Sequence, residues 1–204
     1  MTEKEKMLLG ELYDPTDKEL SKLRSTAHDL SLQYNALPEG KEKKRASILR
    51  KLIPSAGENL YLQGPIYFDY GHFTKFGKNC YANFNFTVLD CAPVEIGNDV
   101  FFGPNVAIYT PMHALNPEQR RQRTRKDGSL YDYEYAKPIK IGNDCWIAGN
   151  VVIIGGVTIG DGCVIGAGSV VTKDIPPHSL AVGNPCRVIR TITKEDDLKD
   201  FPNE

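Results

Sequence analysis

Six residues separate Ile141 from Ile147, and the same step leads on through Ile153, Ile159 and Ile165 to Val171 without a miss. An amphipathic helix needs a period near 3.6 and a half-buried strand a period of two, so neither accounts for this tract. Gly142, Ala148, Gly160 and Gly166 follow four of these positions. Two positions before each lies a second column: Ile139, Cys145, Val151, Val157, Cys163 and Ser169. Upstream the period returns in Ile96, Phe102 and Ile108, with Val88, Val94, Val100 and Val106 as companions. A fixed internal repeat signals stacked units. This one fits a solenoid with flat faces, in which each hexad forms a short strand and a turn. The branched aliphatic points inward, and the small residue after it lets the chain round the corner. Stacked coils then pair as parallel strands about 4.8 Å apart. Burying six Ile and Val side chains contributes at most on the order of 10 kcal/mol.

The repeat also breaks. From Ile108 to Ile141 is 33 residues, not a multiple of six. Between them lie Thr110-Pro111-Met112-His113, a run of basic residues from Arg120 to Lys126, Asp127-Gly128, and Tyr131, Tyr133 and Tyr135. A polar loop over 110–137 must leave the solenoid, and loops on rigid scaffolds are where function concentrates.

Residues 1–58 follow other rules. They hold 21 of the 51 Asp, Glu, Lys and Arg residues but three of the 18 glycines. Met7, Leu8, Leu12 and Tyr13 form a short apolar face. Thr16 is the expected cap of a second helix running to about Tyr34, with Leu20, Leu23, Leu30 and Leu32 among its apolar positions. A third helix carries Ile48, Leu49, Leu52 and Ile53 and ends before Pro54. The charged run Lys41–Arg45 is expected on its solvated face. The chain therefore divides into a helical segment, 1–58, a solenoid, 59–190, and a tail, 191–204.

A formal charge of −1 leaves no footprint for a dedicated nucleic-acid binder. No apolar run approaches the roughly 20 residues of a membrane span, and the N-terminus has no apolar stretch of signal-peptide length. Five cysteines without a C-x-x-C pair argue against a disulfide framework or a cysteine zinc site, so a cytoplasmic, reduced protein is expected.

The hexads, the loop after Thr110-Pro111-Met112-His113, the segment Tyr81-Ala82-Asn83-Phe84-Asn85, and the ending Thr172–Pro177 with Gly183–Arg190 together resemble the maltose and galactoside O-acetyltransferases, a branch of the hexapeptide-repeat transferases. Gly10-Glu11-Leu12-Tyr13 and Gly57-Glu58-Asn59 extend the resemblance into the helical part. It implies a mainly β protein, a left-handed parallel β-helix with about eighteen residues per coil. It also implies a homotrimer with active sites between subunits, and acetyl transfer from acetyl-CoA to a sugar hydroxyl with no metal required.

That chemistry needs a base for the attacking hydroxyl, a donor for the oxyanion and a hold on the cofactor. Of the four histidines, His28 lies in a charged helix and His178 follows two prolines, both expected at the surface. His113 matches the family's catalytic histidine and is assigned as general base. Asn83 matches the asparagine of transition-state stabilisation and acceptor binding. Asp14 and Asp69 match acceptor positions, where carboxylates suit hydroxyl donors. Cys91 stands where the galactoside enzyme has Asp, preceded by Asp90, which is expected to serve the acceptor too; this departure favours a maltose- or glucose-type acceptor. Gly149 and Ala167, eighteen residues apart, are expected to stack on one corner and leave a groove for the pantetheine arm. Thr172, Lys173, Arg187 and Arg190 match the other coenzyme A positions, cations suiting its phosphates. Trp146 packs beside the cofactor or fills a subunit contact.

Three other readings compete. A β-helix carbonic anhydrase needs three histidines around a metal, two of them close in sequence, yet no histidine here lies within 40 residues of another. A non-catalytic scaffold need not keep His113, Asn83 and the basic residues together. A transferase for an oligosaccharide, an amino sugar or an antibiotic would share the same histidine.

Overall fold

The structure, a computed structural model, describes residues 1–199 and 201–202. The hexads close into a three-sided parallel β-solenoid. Its first face stacks Ser55–Ala56, Thr74–Phe76, Val94–Ile96, Ile139–Ile141 and Thr158–Ile159. The second stacks Tyr61–Leu62, Tyr81–Ala82, Phe101–Phe102, Trp146–Ile147, Val164–Ile165 and Ser179–Val182. The third stacks Ile66–Phe68, Phe86–Leu89, Ala107–Tyr109, Val152–Ile154 and Val170–Val171. Strand Arg187–Thr191 turns back antiparallel on Ser179–Val182 and covers that end of the second face. Ile141, Ile147, Ile153, Ile159, Ile165 and Val171 all point inward, none more than 3% exposed, and the companion column is buried with them. Ser169, the polar member, donates to Gly166 O and accepts from Gly183 N.

Two devices turn the corners. Asn59, Asn79, Asp99 and Asp144 hold φ of 56–58° at one corner, and Asn85, Asn105 and Asn150 hold 59° at the next. Asn and Asp tolerate this left-handed region better than other non-glycine residues. Their side chains also ladder between coils, Asn85 Nδ2 to Asn105 Oδ1 at 2.9 Å and Asn105 Nδ2 to Asn150 Oδ1 at 3.1 Å. The glycine column answers coil-to-coil crowding: a Cβ at Gly142 would lie 2.3 Å from Asp161 Oδ1 and 2.6 Å from its backbone N.

The eighteen-residue coil holds only downstream of the loop. Ile141 pairs with Ile159, Ile147 with Ile165 and Ile153 with Val171. Upstream the step is twenty: Phe76 pairs with Ile96, Ala82 with Phe102 and Val88 with Ile108. The two extra residues sit at the corner between third and first faces, because Val88 to Ile96 takes eight residues where Ile153 to Ile159 takes six. Cys145 and Cys163 share one column, with Trp146 N bonded to Cys163 O at 2.9 Å. Both thiols are buried and free, and both donate to carbonyls, of Gly160 and Pro176.

Three helices precede the coils: α1 (Glu3–Leu9), α2 (Lys18–Asn35) and α3 (Glu42–Leu52). Asp17, not Thr16, caps α2, accepting from Glu19 N and Leu20 N. Thr16 is instead bonded to Asp14. Leu12 and Leu32, read as apolar-face positions, are exposed. The first strand begins at Ser55, inside the segment read as helical. Arg45 corrects the solvated-face expectation. It is 6% exposed, lies 4.4 Å over the Tyr34 ring and donates to Leu62 O at 2.8 Å and Gln63 O at 2.6 Å. The first coil has no coil beneath it, so its edge carbonyls need a donor from elsewhere. Asn35 braces the same coil, giving Nδ2 to Ile66 O and accepting Ile66 N on Oδ1. Among the described residues no helix is long and apolar enough to cross a membrane.

Candidate active site

The widened corner builds the site. Asp69–Phe73 and Asp90–Pro93 connect third-face to first-face strands in the twenty-residue coils, and the excursion leaves the next coil after Thr110. Such long corners expose backbone donors that a tight turn would satisfy. Asp90 supplies the acceptors. Its Oδ1 takes Tyr70 N at 2.8 Å and Gly71 N at 3.1 Å, and its Oδ2 takes Phe73 N at 3.2 Å and Thr74 Oγ1 at 3.0 Å. Thr110 repeats the device one coil on, accepting Ala92 N and donating to Leu89 O. Asp90 is fully buried, and burial pushes its pKa up to about 6 against those hydrogen bonds. Its expected contact with an acceptor is therefore corrected: both oxygens are engaged inside the protein and none of the residue reaches solvent.

His113 stands where the excursion begins. Strand Pro111–His113 pairs antiparallel with Glu134–Ala136, setting His113 opposite Glu134. Glu134 is in turn bridged to Tyr13, with backbone bonds in both directions and the Tyr13 hydroxyl donating to Glu134 Oε2 at 2.8 Å. The other Glu134 oxygen, Oε1, lies 3.8 Å from His113 Nε2, and Asp132 Oδ2 lies 4.0 Å from His113 Nδ1. Carboxylates flank both ring nitrogens, an arrangement that orients an imidazole. The donor atoms of His113, Asp132 and Glu134 lie within 4.8 Å of one another, and these residue types could also hold a cation.

A cavity of about 380 Å³ opens beside this trio. His113, Glu134, Asp69 and Cys91 line it together with Tyr13 and Arg24. The Asp69 side chain borders the cavity, and its Oδ2 lies 3.6 Å from Cys91 Sγ. Burial raises the pKa of the Cys91 thiol, aided by the Asp69 charge, so the thiol is protonated near neutrality. Arg24 donates to Pro15 O and to the Tyr70 hydroxyl, each at 3.2 Å. Burial works against its charge, while Tyr70 and Asp69 favour it and leave its pKa raised.

Asp14 departs from expectation. Tyr13, Pro15 and Thr16 line the cavity, whereas the Asp14 carboxylate is ion-paired with Arg125 of the excursion and bonded to Thr16 N and Oγ1. Burial acts to raise its pKa, but the Thr16 and Arg125 bonds hold it below the usual value. Arg125 also lies 4.5 Å over the Tyr131 ring. Asp14 thus clamps the N-terminal segment to the loop.

The remaining expected residues lie elsewhere on the chain. Asn83 turns the corner between second and third faces, with N bonded to Phe102 O and Oδ1 accepting Phe84 N. Gly149 and Ala167 stack at that same corner, where Gly168 N donates to Gly149 O at 3.0 Å. Within one chain this corner does not share the His113 cavity. Trp146 is exposed on the second face, flanked in its ladder by Phe101 and Val164. Thr172 and Lys173 follow the last third-face strand. Arg187 and Arg190 lie on the returning strand, but Arg190 is paired with Asp196, whose pKa it lowers to about 2.

Sequence reasoning missed Tyr13, Arg24, Asp132 and Glu134 as site residues, and His28, whose Nε2 lies 3.5 Å from Asp69 Oδ1. The alternation of Asp132 and Glu134 with three tyrosines, just before the hexads resume, was the one local signal for the carboxylate pair.

Comparison with known proteins supplies the family. Residues 6–57 match the maltose acetyltransferase hexapeptide capping motif, and residues 138–173 match the bacterial transferase hexapeptide, six repeats. The chain is 41% identical to the galactoside O-acetyltransferase of Escherichia coli K12, over 98% of this chain and 96% of that one. A maltose O-acetyltransferase from Clostridium difficile 630 superposes with a TM-score of 0.87 at 45% identity, covering 95% of this chain and 99% of that one. A galactoside acetyltransferase solved in complex with coenzyme A superposes with a TM-score of 0.89 at 40% identity, covering 100% and 99%. With helices that brace the first coil, hexads that stack the rest and a histidine at the mouth of the widened corner, the chain belongs to the maltose and galactoside O-acetyltransferase family.

Proposed function

We propose that this protein transfers the acetyl group of acetyl-CoA to a hydroxyl of a small sugar, with His113 as general base. The observation that carries the reading is the single cavity in which His113, held between Asp132 and Glu134, meets Asp69 and Arg24. Asp69 accepts from sugar hydroxyls and Arg24 donates to them. His113 takes the proton of the attacking hydroxyl as the new ester bond forms, and returns it to the leaving thiolate when the thioester C–S bond breaks. The neighbouring carboxylates, on either side of the ring, keep the imidazole oriented between those two events.

Asn83 serves the oxyanion and the acceptor, and Gly149, Ala167, Thr172, Lys173, Arg187 and Trp146 hold the cofactor, its phosphates attracting the cations. Arg190 joins them once Asp196 releases it. Since Asn83 and His113 turn different corners, the full set comes together between copies of the chain. The apolar outer column of the second face, with Tyr61, Phe101 and Trp146 exposed, suits burial in a homotrimer. Cys91, a protonated thiol where the galactoside enzyme has a carboxylate, supports a maltose- or glucose-type acceptor. Five buried, free cysteines fit a reducing, cytoplasmic setting.

The test is thiol release from acetyl-CoA by the purified protein with glucose, maltose or a thiogalactoside as acceptor, beside light scattering for assembly mass. Turnover greater with glucose or maltose is expected, from a trimer. No sugar-dependent release with any of the three would overturn the activity, and a monomeric mass would overturn the shared site.

A further inference from the structure

A second cavity, of about 340 Å³, lies between α2 and the outer side of the third face. Ser31 and Leu32 from α2 face Tyr67 and Leu89 across it, with His28 and Asp69 at its polar margin. Asp69 and Leu89 also line the His113 cavity, so the two spaces share a wall. Ser31 is 4% exposed, and its hydroxyl is the only buried side-chain N or O atom without a hydrogen-bond partner among the described residues. An orphaned buried hydroxyl is costly and calls for an occupant that satisfies it. Leu32 and Tyr67, by contrast, are 66% and 48% exposed, an open apolar wall beside an unpaired donor.

We infer that this cavity is a second acceptor subsite, built for the adjoining pyranose ring of a disaccharide whose reacting ring sits beside His113. The inference rests on the sugar acetyltransferase reading and names where a larger acceptor extends. A pyranose ring presents apolar C–H faces and a rim of hydroxyls. Tyr67, Leu32 and Leu89 match the faces, and the Ser31 hydroxyl and His28 imidazole match the rim. The shared wall explains why one ligand would span both spaces: a ring held by Asp69 in the first cavity has its glycosidic neighbour directed along Leu89 into the second.

The test compares matched acceptors, glucose with maltose and galactose with lactose, on the wild type and on Ser31→Leu and Leu32→Ala. In at least one pair the disaccharide is expected to exceed its monosaccharide in kcat/KM by about tenfold, the scale of a well-filled apolar pocket. Ser31→Leu, which fills the cavity, removes that excess while kcat/KM for the monosaccharide stays unchanged. Leu32→Ala, at an exposed position that the fold does not need, cuts the excess severalfold and carries the test if Ser31→Leu fails to fold. Equal kcat/KM for monosaccharide and disaccharide in the wild type, or equal losses on both in Leu32→Ala, would overturn the subsite while leaving acetyl transfer intact. Absence of turnover with all four sugars would overturn the underlying activity, and the subsite with it.

Discussion

Between Ile153 and Ile159 the chain rounds its corner with Gly155 and Gly156; between Val88 and Ile96 it rounds the same corner with two more residues and a buried carboxylate. The first turn is closed. A Cβ at Gly155 would lie 2.7 Å from Thr110 O, so nothing can enter there. The second leaves a space beside it and needs Asp90 to satisfy three backbone N–H groups and the Thr74 hydroxyl. A repeat scaffold gains a cavity by lengthening one corner over consecutive coils, and the stability lost in the turn is recovered by one multiply bonded side chain.

The largest expected effect separates chemistry from scaffold. His113→Ala should lower kcat by about 10²–10⁴-fold, the range of general-base catalysis, with no change in Tm or assembly. Activity like that of the wild type would remove His113 from its role. On the tight side of the comparison, Ile153→Ala opens a cavity in a fully buried column and should cost about 2–5 kcal/mol in denaturant unfolding. A smaller loss would mean that the coils collapse around the gap.

Asp90→Asn probes the wide corner. It presents an NH₂ group to donors and should cost about 1–3 kcal/mol, with turnover falling as the cavity wall loosens. An unchanged Tm would show that the corner holds without it. The pH dependence follows from the same residue. Its folded pKa, about 6, lies above the ordinary carboxylate value of 3.8. The folded state therefore binds the proton more tightly, so the stabilisation is complete below about pH 4 and is lost as pH rises through 6. Stability measured from pH 4 to 6 should decline more in the wild type than in Asp90→Asn; parallel curves would refute this. The smallest effect belongs to Arg125→Ala. Breaking the partly exposed pair with Asp14 should cost under about 1 kcal/mol, while KM for the sugar rises as the N-terminal segment loosens from the loop. A KM equal to that of the wild type would detach the clamp from acceptor binding.

Much of the fold was legible because the hexad is local. Each inward Ile or Val is recognisable six residues from the last, and all six proved buried. The candidate site was legible only where residue type and motif coincide, as for His113 and Asp69, which line one cavity. Glu134 and Arg24 reach the cavity by pairings that span scores of residues, and no period announces them. Asp90 shows the opposite failure: a carboxylate at the right corner, turned inward by the donors of the coil before it. Arg45 sat in a charged run that looked solvated, yet the open edge of the first coil recruits it.

Period, inward columns and the break at Thr110 were properties of the amino-acid order alone, because strand alternation and turn chemistry act over neighbouring residues. Coil length, the two added corner residues, the carboxylates around His113 and the second cavity were decided by tertiary structure. Each depends on which backbone donors and side chains meet across coils, and those meetings are set by stacking register rather than by local order.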